Sequence, residues 1–133
     1  MASTQGSFFL RSLCEIYTYR AQDDGLIHIH DPEMHFYNDL APEDAKNFAA
    51  QLVVHPTSAQ WTNVTHEAFR EIPVTYLLCE NDQALPLAVQ KMMCGRIEAL
   101  GVKVDYETCS AGHSPFLSMP DELANIISKV AEI

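Results

Sequence analysis

Residues 73–86 read Pro-Val-Thr-Tyr-Leu-Leu-Cys-Glu-Asn-Asp-Gln-Ala-Leu-Pro, an apolar run that breaks into a polar loop at Glu80. A run without polar alternation predicts a strand buried on both faces, the usual state of a strand in a parallel sheet. Downstream, Leu87 to Leu100 reads as a helix ended by Gly101, and Val102 to Thr108 alternates as a second strand. The last helix spans Asp121 to Glu132, with Asp121 after Pro120 as its cap. This is a strand-helix-strand-helix unit, and right-handed crossovers leave its two strands parallel and neighbouring.

Upstream, Asp23-Asp24-Gly25 is a turn signal between Ile16-Tyr17-Thr18-Tyr19 and Leu26-Ile27-His28-Ile29-His30, so a small hairpin is expected. Residues 6–19 fit a strand or a short helix equally. A helix is expected from Pro42-Glu43-Asp44 to about Val53, capped by Asp39 or the residues just after it. Pro56 stops that helix, and Thr57 or Ser58 caps a second one through Trp61, Val64 and Phe69. The fold class is therefore α/β, a short parallel sheet preceded by a hairpin and two helices. Residues 1–133 are expected to form one domain, with about 1–70 as its N-terminal region and about 71–133 as the β-α-β-α unit.

Composition narrows the function. The chain is 47% hydrophobic and 20% charged, a globular profile. Its 18 acidic against 8 basic residues give a formal charge of −10, which repels nucleic acid and anionic membrane surfaces. Neither is an expected partner. Cys14, Cys79, Cys94 and Cys109 are scattered singly, as reduced structural thiols are. No apolar run reaches the roughly 18 residues of a membrane span, and Met-Ala-Ser-Thr-Gln-Gly-Ser lacks the basic and apolar regions of a secretory signal, so a cytoplasmic location is expected.

Asp82 follows the first strand and His113, in Ala-Gly-His-Ser-Pro-Phe-Leu, follows the second. Both emerge at the carboxyl ends of neighbouring parallel strands, where open α/β sheets build their sites. A carboxylate bonded to one imidazole nitrogen fixes the tautomer and leaves the other nitrogen as a general base. Phe36, Tyr37, Trp61 and Phe116 are candidate substrate-binding residues, since aromatic side chains line pockets for apolar ligands. His28, His30 and His35, with Asp31 and Glu33 between them, offer a rival zinc or iron site; as polar positions alternating with Leu26, Ile27 and Ile29 they equally fit a solvated hairpin face. That second reading is preferred, so neither a metal nor a cofactor is expected.

From about residue 35 onward the sequence resembles the α/β-hydrolase superfamily, in the branch of plant methylesterases, hydroxynitrile lyases and related fungal hydrolases. Asn81-Asp82-Gln83-Ala84-Leu85-Pro86 looks like the family's acid loop after its seventh strand, and Ala111-Gly112-His113-Ser114-Pro115-Phe116 looks like its base loop after the eighth. Phe36-Tyr37-Asn38-Asp39-Leu40, followed by Pro42-Glu43, looks like its cap. The resemblance implies a truncated α/β-hydrolase-like fold with Asp82 and His113 as catalytic acid and base. One departure is specific: the nucleophile's Gly-x-Ser-x-Gly elbow does not occur among Gly6, Gly25, Gly95, Gly101 and Gly112. Neither Ser110 nor Ser114 has the family's nucleophilic role.

Two parallel strands leave apolar faces and unpaired edges, so a homodimer is expected to complete the sheet. The expected function is His/Asp acid–base chemistry without the serine nucleophile, as an isomerase, lyase, cyclase or water-activating hydrolase. The substrate would be a small, largely apolar carbonyl compound of the kind met in secondary metabolism. The alternatives are a non-catalytic binding or accessory protein, or a fragment of a longer serine hydrolase.

Overall fold

The computed structural model describes residues 19–21, 25–61 and 65–131, with the side chains of 19–21, 60 and 61 left aside. In chain order the elements are β1 (Tyr19–Ala21), β2 (Leu26–Ile29), α1 (Pro32–Phe36), α2 (Pro42–Ala49), β3 (His55–Pro56), α3 (Ser58–Trp61), a 3₁₀ turn (Ala68–Arg70), β4 (Val74–Cys79), α4 (Leu87–Glu98), β5 (Val104–Cys109), α5 (Pro115–Ser118) and α6 (Pro120–Val130). The readings of residues 6–18, Cys14, the Asp23-Asp24 turn and Val64 lie outside the described residues.

β4 and β5 pair in parallel and in register, from Val74 opposite Val104 to Cys79 opposite Cys109. The connecting helix α4 ends where Gly101 adopts φ +83, a left-handed conformation that costs glycine little, and its N–H donates to the Glu98 carbonyl at 2.8 Å. Cys94 of α4 is fully buried and lies with Tyr106 on one face of the sheet. On the other face α6 packs across Leu77 and Glu107, and Lys129 reaches Glu107 at 2.5 Å. A groove of about 220 Å³ remains there between Thr75, Leu77, Leu123, Ile126, Ile127 and Val130.

Burial rises along β4 toward the site. Thr75 is exposed and Val74 half-buried, whereas Leu78 and Cys79 are buried. The expectation of burial on both faces therefore holds only at the carboxyl end, because at the other end α6 leaves the groove open. Cys79, Cys109 and Ala111 form a buried cluster beneath the loops of Asp82 and His113, with Leu77 and Met119 packed on it.

A second sheet, of order β1-β2-β3, is antiparallel, with Tyr19 opposite Ile29 and Leu26 opposite Pro56. The expected pairing of the two hairpin strands is thus present, with Tyr19–Ala21 as the described part of the first. The two expected helices are shorter than read. α2 stops at Ala49, and its cap is Ala41 with no side-chain hydrogen bond, so Asp39 is not its cap. Pro56 joins a strand, and in place of one helix through Phe69 there is a single turn, α3, and later the 3₁₀ turn. β-Branched and proline residues dominate 53–57, and pairing with β2 satisfies backbone groups that a helix would otherwise use. α6 likewise starts at Pro120 with Met119 as its cap, which puts Asp121 in the first turn. No helix among the described residues is long and apolar enough to cross a membrane.

Candidate active site

Asp82 lies in the loop after β4, and its carboxylate is 7% exposed. Oδ1 accepts the backbone N–H groups of Ala84 and Leu85, both at 2.8 Å, in an aspartate-closed turn that fixes the carboxylate before any partner arrives. His113, in the loop after β5, brings Nδ1 to 2.9 Å from Asp82 Oδ2 and 3.1 Å from Oδ1. An ionised carboxylate only accepts, so the shared proton sits on Nδ1 and the lone pair of the neutral ring sits on Nε2. The imidazole is 38% exposed, open enough for a reactant to meet Nε2.

A buried glutamine holds this arrangement from below. Gln90 on α4 is 1% exposed. Its Oε1 accepts the Cys79 N–H at 3.0 Å, while Nε2 donates to the carbonyls of Cys79 at 2.9 Å and Leu85 at 2.7 Å. The side-chain amide thus stands where a neighbouring strand would, at the last residue of β4. Asn81 ties the two loops together by donating to the Ser110 carbonyl at 2.6 Å.

Residues 35–39 lie against the pair and its loops. Phe36 lies against the His113 ring, centroids 5.0 Å apart and planes at 22°. Asn38 Nδ2 donates to the Asn81 carbonyl at 3.1 Å, His35 Nδ1 bonds the Gln83 carbonyl at 3.2 Å, and Asp39 Oδ2 accepts the Gly112 N–H at 2.6 Å. Gly112 has no room for a side chain: a Cβ there would run into Asn38 Oδ1 and come within 2.9 Å of Asp39 Oδ1.

The pocket candidates separate. Phe36 is on the dyad, whereas Tyr37 is buried and packs on Phe48 at 5.8 Å, and burial pushes its phenol pKa up. Phe116 is 61% exposed on α5, and the side chain of Trp61 lies outside the described residues. His35 is engaged with Gln83, and among the described residues no three metal-ligating side chains converge. Cys79, Cys94 and Cys109 are free thiols. Cys79 and Cys109 sit 3.8 Å apart at Sγ, and burial, followed by the neighbouring thiol and the Asp82 and Asp39 charges, pushes the Cys79 pKa up to about 12.

The sequence reading missed Gln90 and the roles of Asn38, Asp39 and Asn81. For Gln90 a signal existed: it lies three or four residues from Leu87, Met93 and Cys94, on the apolar face of its helix.

Known proteins share this arrangement of strands and helices. The chain is 37% identical over 95 residues to the alpha/beta hydrolase nvfD of Aspergillus novofumigatus and 30% identical to a probable hydrolase, R7, of a Phoma species. Each match takes in 71% of this chain but 37% and 39% of the relative, so the chain spans well under half the length of these relatives. Among solved structures, a pyrethroid hydrolase from Sphingobium faniae aligns over 90% of this chain and 49% of its own, at TM-score 0.69 and 23% identity. Polyneuridine aldehyde esterase aligns over 86% and 48%, at TM-score 0.63 and 14% identity. The profile of the alpha/beta hydrolase family matches residues 4–126. With that match along nearly its whole length, the chain belongs to the α/β-hydrolase family.

Proposed function

We propose that His113 and Asp82 act as an acid–base pair on a small, largely apolar carbonyl compound, with no serine nucleophile from this chain. The observation that carries this reading is the 2.9 Å contact between His113 Nδ1 and Asp82 Oδ2, which leaves Nε2 as the free basic nitrogen. Nε2 takes a proton from a carbon or hydroxyl next to the carbonyl, or from an attacking water, and the imidazolium formed is stabilised by Asp82. The same proton then returns to the departing or rearranged group, so the pair ends as it began. Isomerisation, lyase-type elimination, cyclisation and water-activating hydrolysis all have this form. Phe36 over the ring supplies an apolar wall, and the names of the pyrethroid hydrolase and the aldehyde esterase support a carbonyl substrate of low polarity. We place the work in a homodimer, in which a second copy covers what the two-stranded sheet leaves open.

A second reading has its own support. The chain spans 37% of nvfD, which fits a serine hydrolase whose nucleophile lies in polypeptide beyond this sequence. One experiment separates the two. The purified chain is weighed in solution and assayed against p-nitrophenyl butyrate and mandelonitrile, beside its His113→Gln variant. Turnover by the chain alone, lowered about 100-fold or more in the variant, supports the first reading. Equal rates for the two proteins refute it.

A further inference from the structure

Residues 35–39 touch the dyad from four directions. His35 and Asn38 hold carbonyls of the Asp82 loop, Phe36 lies on the imidazole itself, and Asp39 holds the backbone of the His113 loop. Tyr37, between them, is 8% exposed and anchors the segment against Phe48 of α2. Of these contacts the one from Asp39 is shortest, 2.6 Å to the Gly112 N–H, and it joins a carboxylate to the residue immediately before the base. Charge-assisted bonds of this kind are about twice as strong as neutral ones. Gly112 is itself buried and without space for a Cβ, so the backbone meets the carboxylate directly.

We propose that Asp39 is the positioning residue for His113, its carboxylate holding the Gly112 N–H so that the imidazole keeps Nδ1 on Asp82 and its face on Phe36. The proposal rests on the reading of His113 and Asp82 as a working pair. It assigns the cap a second task besides covering the site. Without the Asp39 acceptor, the Gly112 N–H has to turn toward water, the loop rotates with it, and the ring loses the alignment that selects one tautomer. Asparagine at position 39 keeps an acceptor oxygen at the same reach and alanine keeps none, so the two variants separate positioning from packing.

The experiment reads the tautomer rather than turnover. Long-range ¹H–¹⁵N correlation spectra of uniformly ¹⁵N-labelled protein, with His113 identified by its loss in His113→Gln, give the Nδ1 and Nε2 shifts of the neutral ring. Widely separated shifts are expected for the unaltered protein. In Asp39→Ala the two shifts draw together, as the preference for Nδ1–H falls about tenfold, the size of one lost hydrogen bond to a charged group. Asp39→Asn retains most of the separation. Where Asp39→Ala does not fold, Asp39→Ser takes its place, and the order Asp, Asn, Ser in tautomer preference is required. Unchanged shifts in the alanine or serine variant overturn the proposal. An unaltered protein with no tautomer preference refutes the dyad itself, which distinguishes the two failures.

Discussion

Replacing Gln90 by leucine keeps the side chain's approximate volume and removes three hydrogen bonds at once. The Cys79 N–H at 3.0 Å and the Leu85 carbonyl at 2.7 Å lose their partner in a site that is 1% exposed, and the Cys79 carbonyl, at 2.9 Å from Gln90, keeps only the long 3.5 Å bond from the Asp82 N–H. A buried polar group left unsatisfied costs about 1–3 kcal/mol. Two fully unsatisfied groups and one left with a weak bond, less about 1–2 kcal/mol recovered by the added apolar burial, give a net loss of about 1–7 kcal/mol, with a middle value of about 4 kcal/mol. For a domain of this size each kcal/mol moves the midpoint by about 3–6 °C, so the middle value lowers the melting temperature by about 10 °C or more. Thermal unfolding followed by circular dichroism measures it, and hydrogen exchange at the Cys79 amide shows whether protection is lost where the clamp acted. Gln90→Glu sharpens the test. Its carboxylate can still accept from Cys79 but repels both carbonyls, and protonation gives it back one donor, so this variant regains stability as pH falls. A drop of less than about 3 °C in Gln90→Leu, below the cost of even one unsatisfied group, refutes the reasoning.

Gly112→Ala pushes a methyl group into Asn38 and the Asp39 carboxyl, so a loss of about 1–3 kcal/mol is expected in urea unfolding, and a variant as stable as the parent contradicts the close approach. Alkaline pH also destabilises. The Cys79 thiol, raised in the fold from 9.0 to about 12, stays protonated where the unfolded thiol ionises, so the unfolded state binds fewer protons and stability falls as pH rises from 9.0 toward about 12. Cys79→Ala, followed by urea unfolding across that range, is expected to show a shallower fall than the parent.

The C-terminal half was legible because its signals are local. The run from Val74 to Cys79, the helix closed by Gly101 and the alternation around Val104 each specify their own element. Parallel pairing then brings the loops of Asp82 and His113 to the same end of the sheet. The stretch from 50 to 70 was misread because His55-Pro56 takes its conformation from Ile27 and Leu26 of β2, a partner so distant in sequence that no local window reveals it. Asp39 looked like a helix cap for the same reason: short acidic residues before Pro42 favour capping, but the Gly112 N–H, 73 residues on, claims the carboxylate. Gln90 was passed over because a glutamine on a helix is usually solvated, and only the end of β4 gives it three partners. In each case the missing information was a contact distant in sequence.

The residue-for-residue pairing of Cys79 with Cys109 makes the dyad a gauge of strand alignment. Asp82 follows its strand by three residues and His113 follows by four, so their 2.9 Å contact exists at one offset of β5 along β4. A slip of one position shifts the histidine by about 3.3 Å and turns its strand's side chains to the opposite face. A misaligned sheet can still bury leucines and valines, but it cannot assemble acid with base. That contact therefore reports on the sheet more strictly than stability does: a single-residue insertion within β4 or β5 is expected to part His113 from Asp82 well before it unfolds the chain.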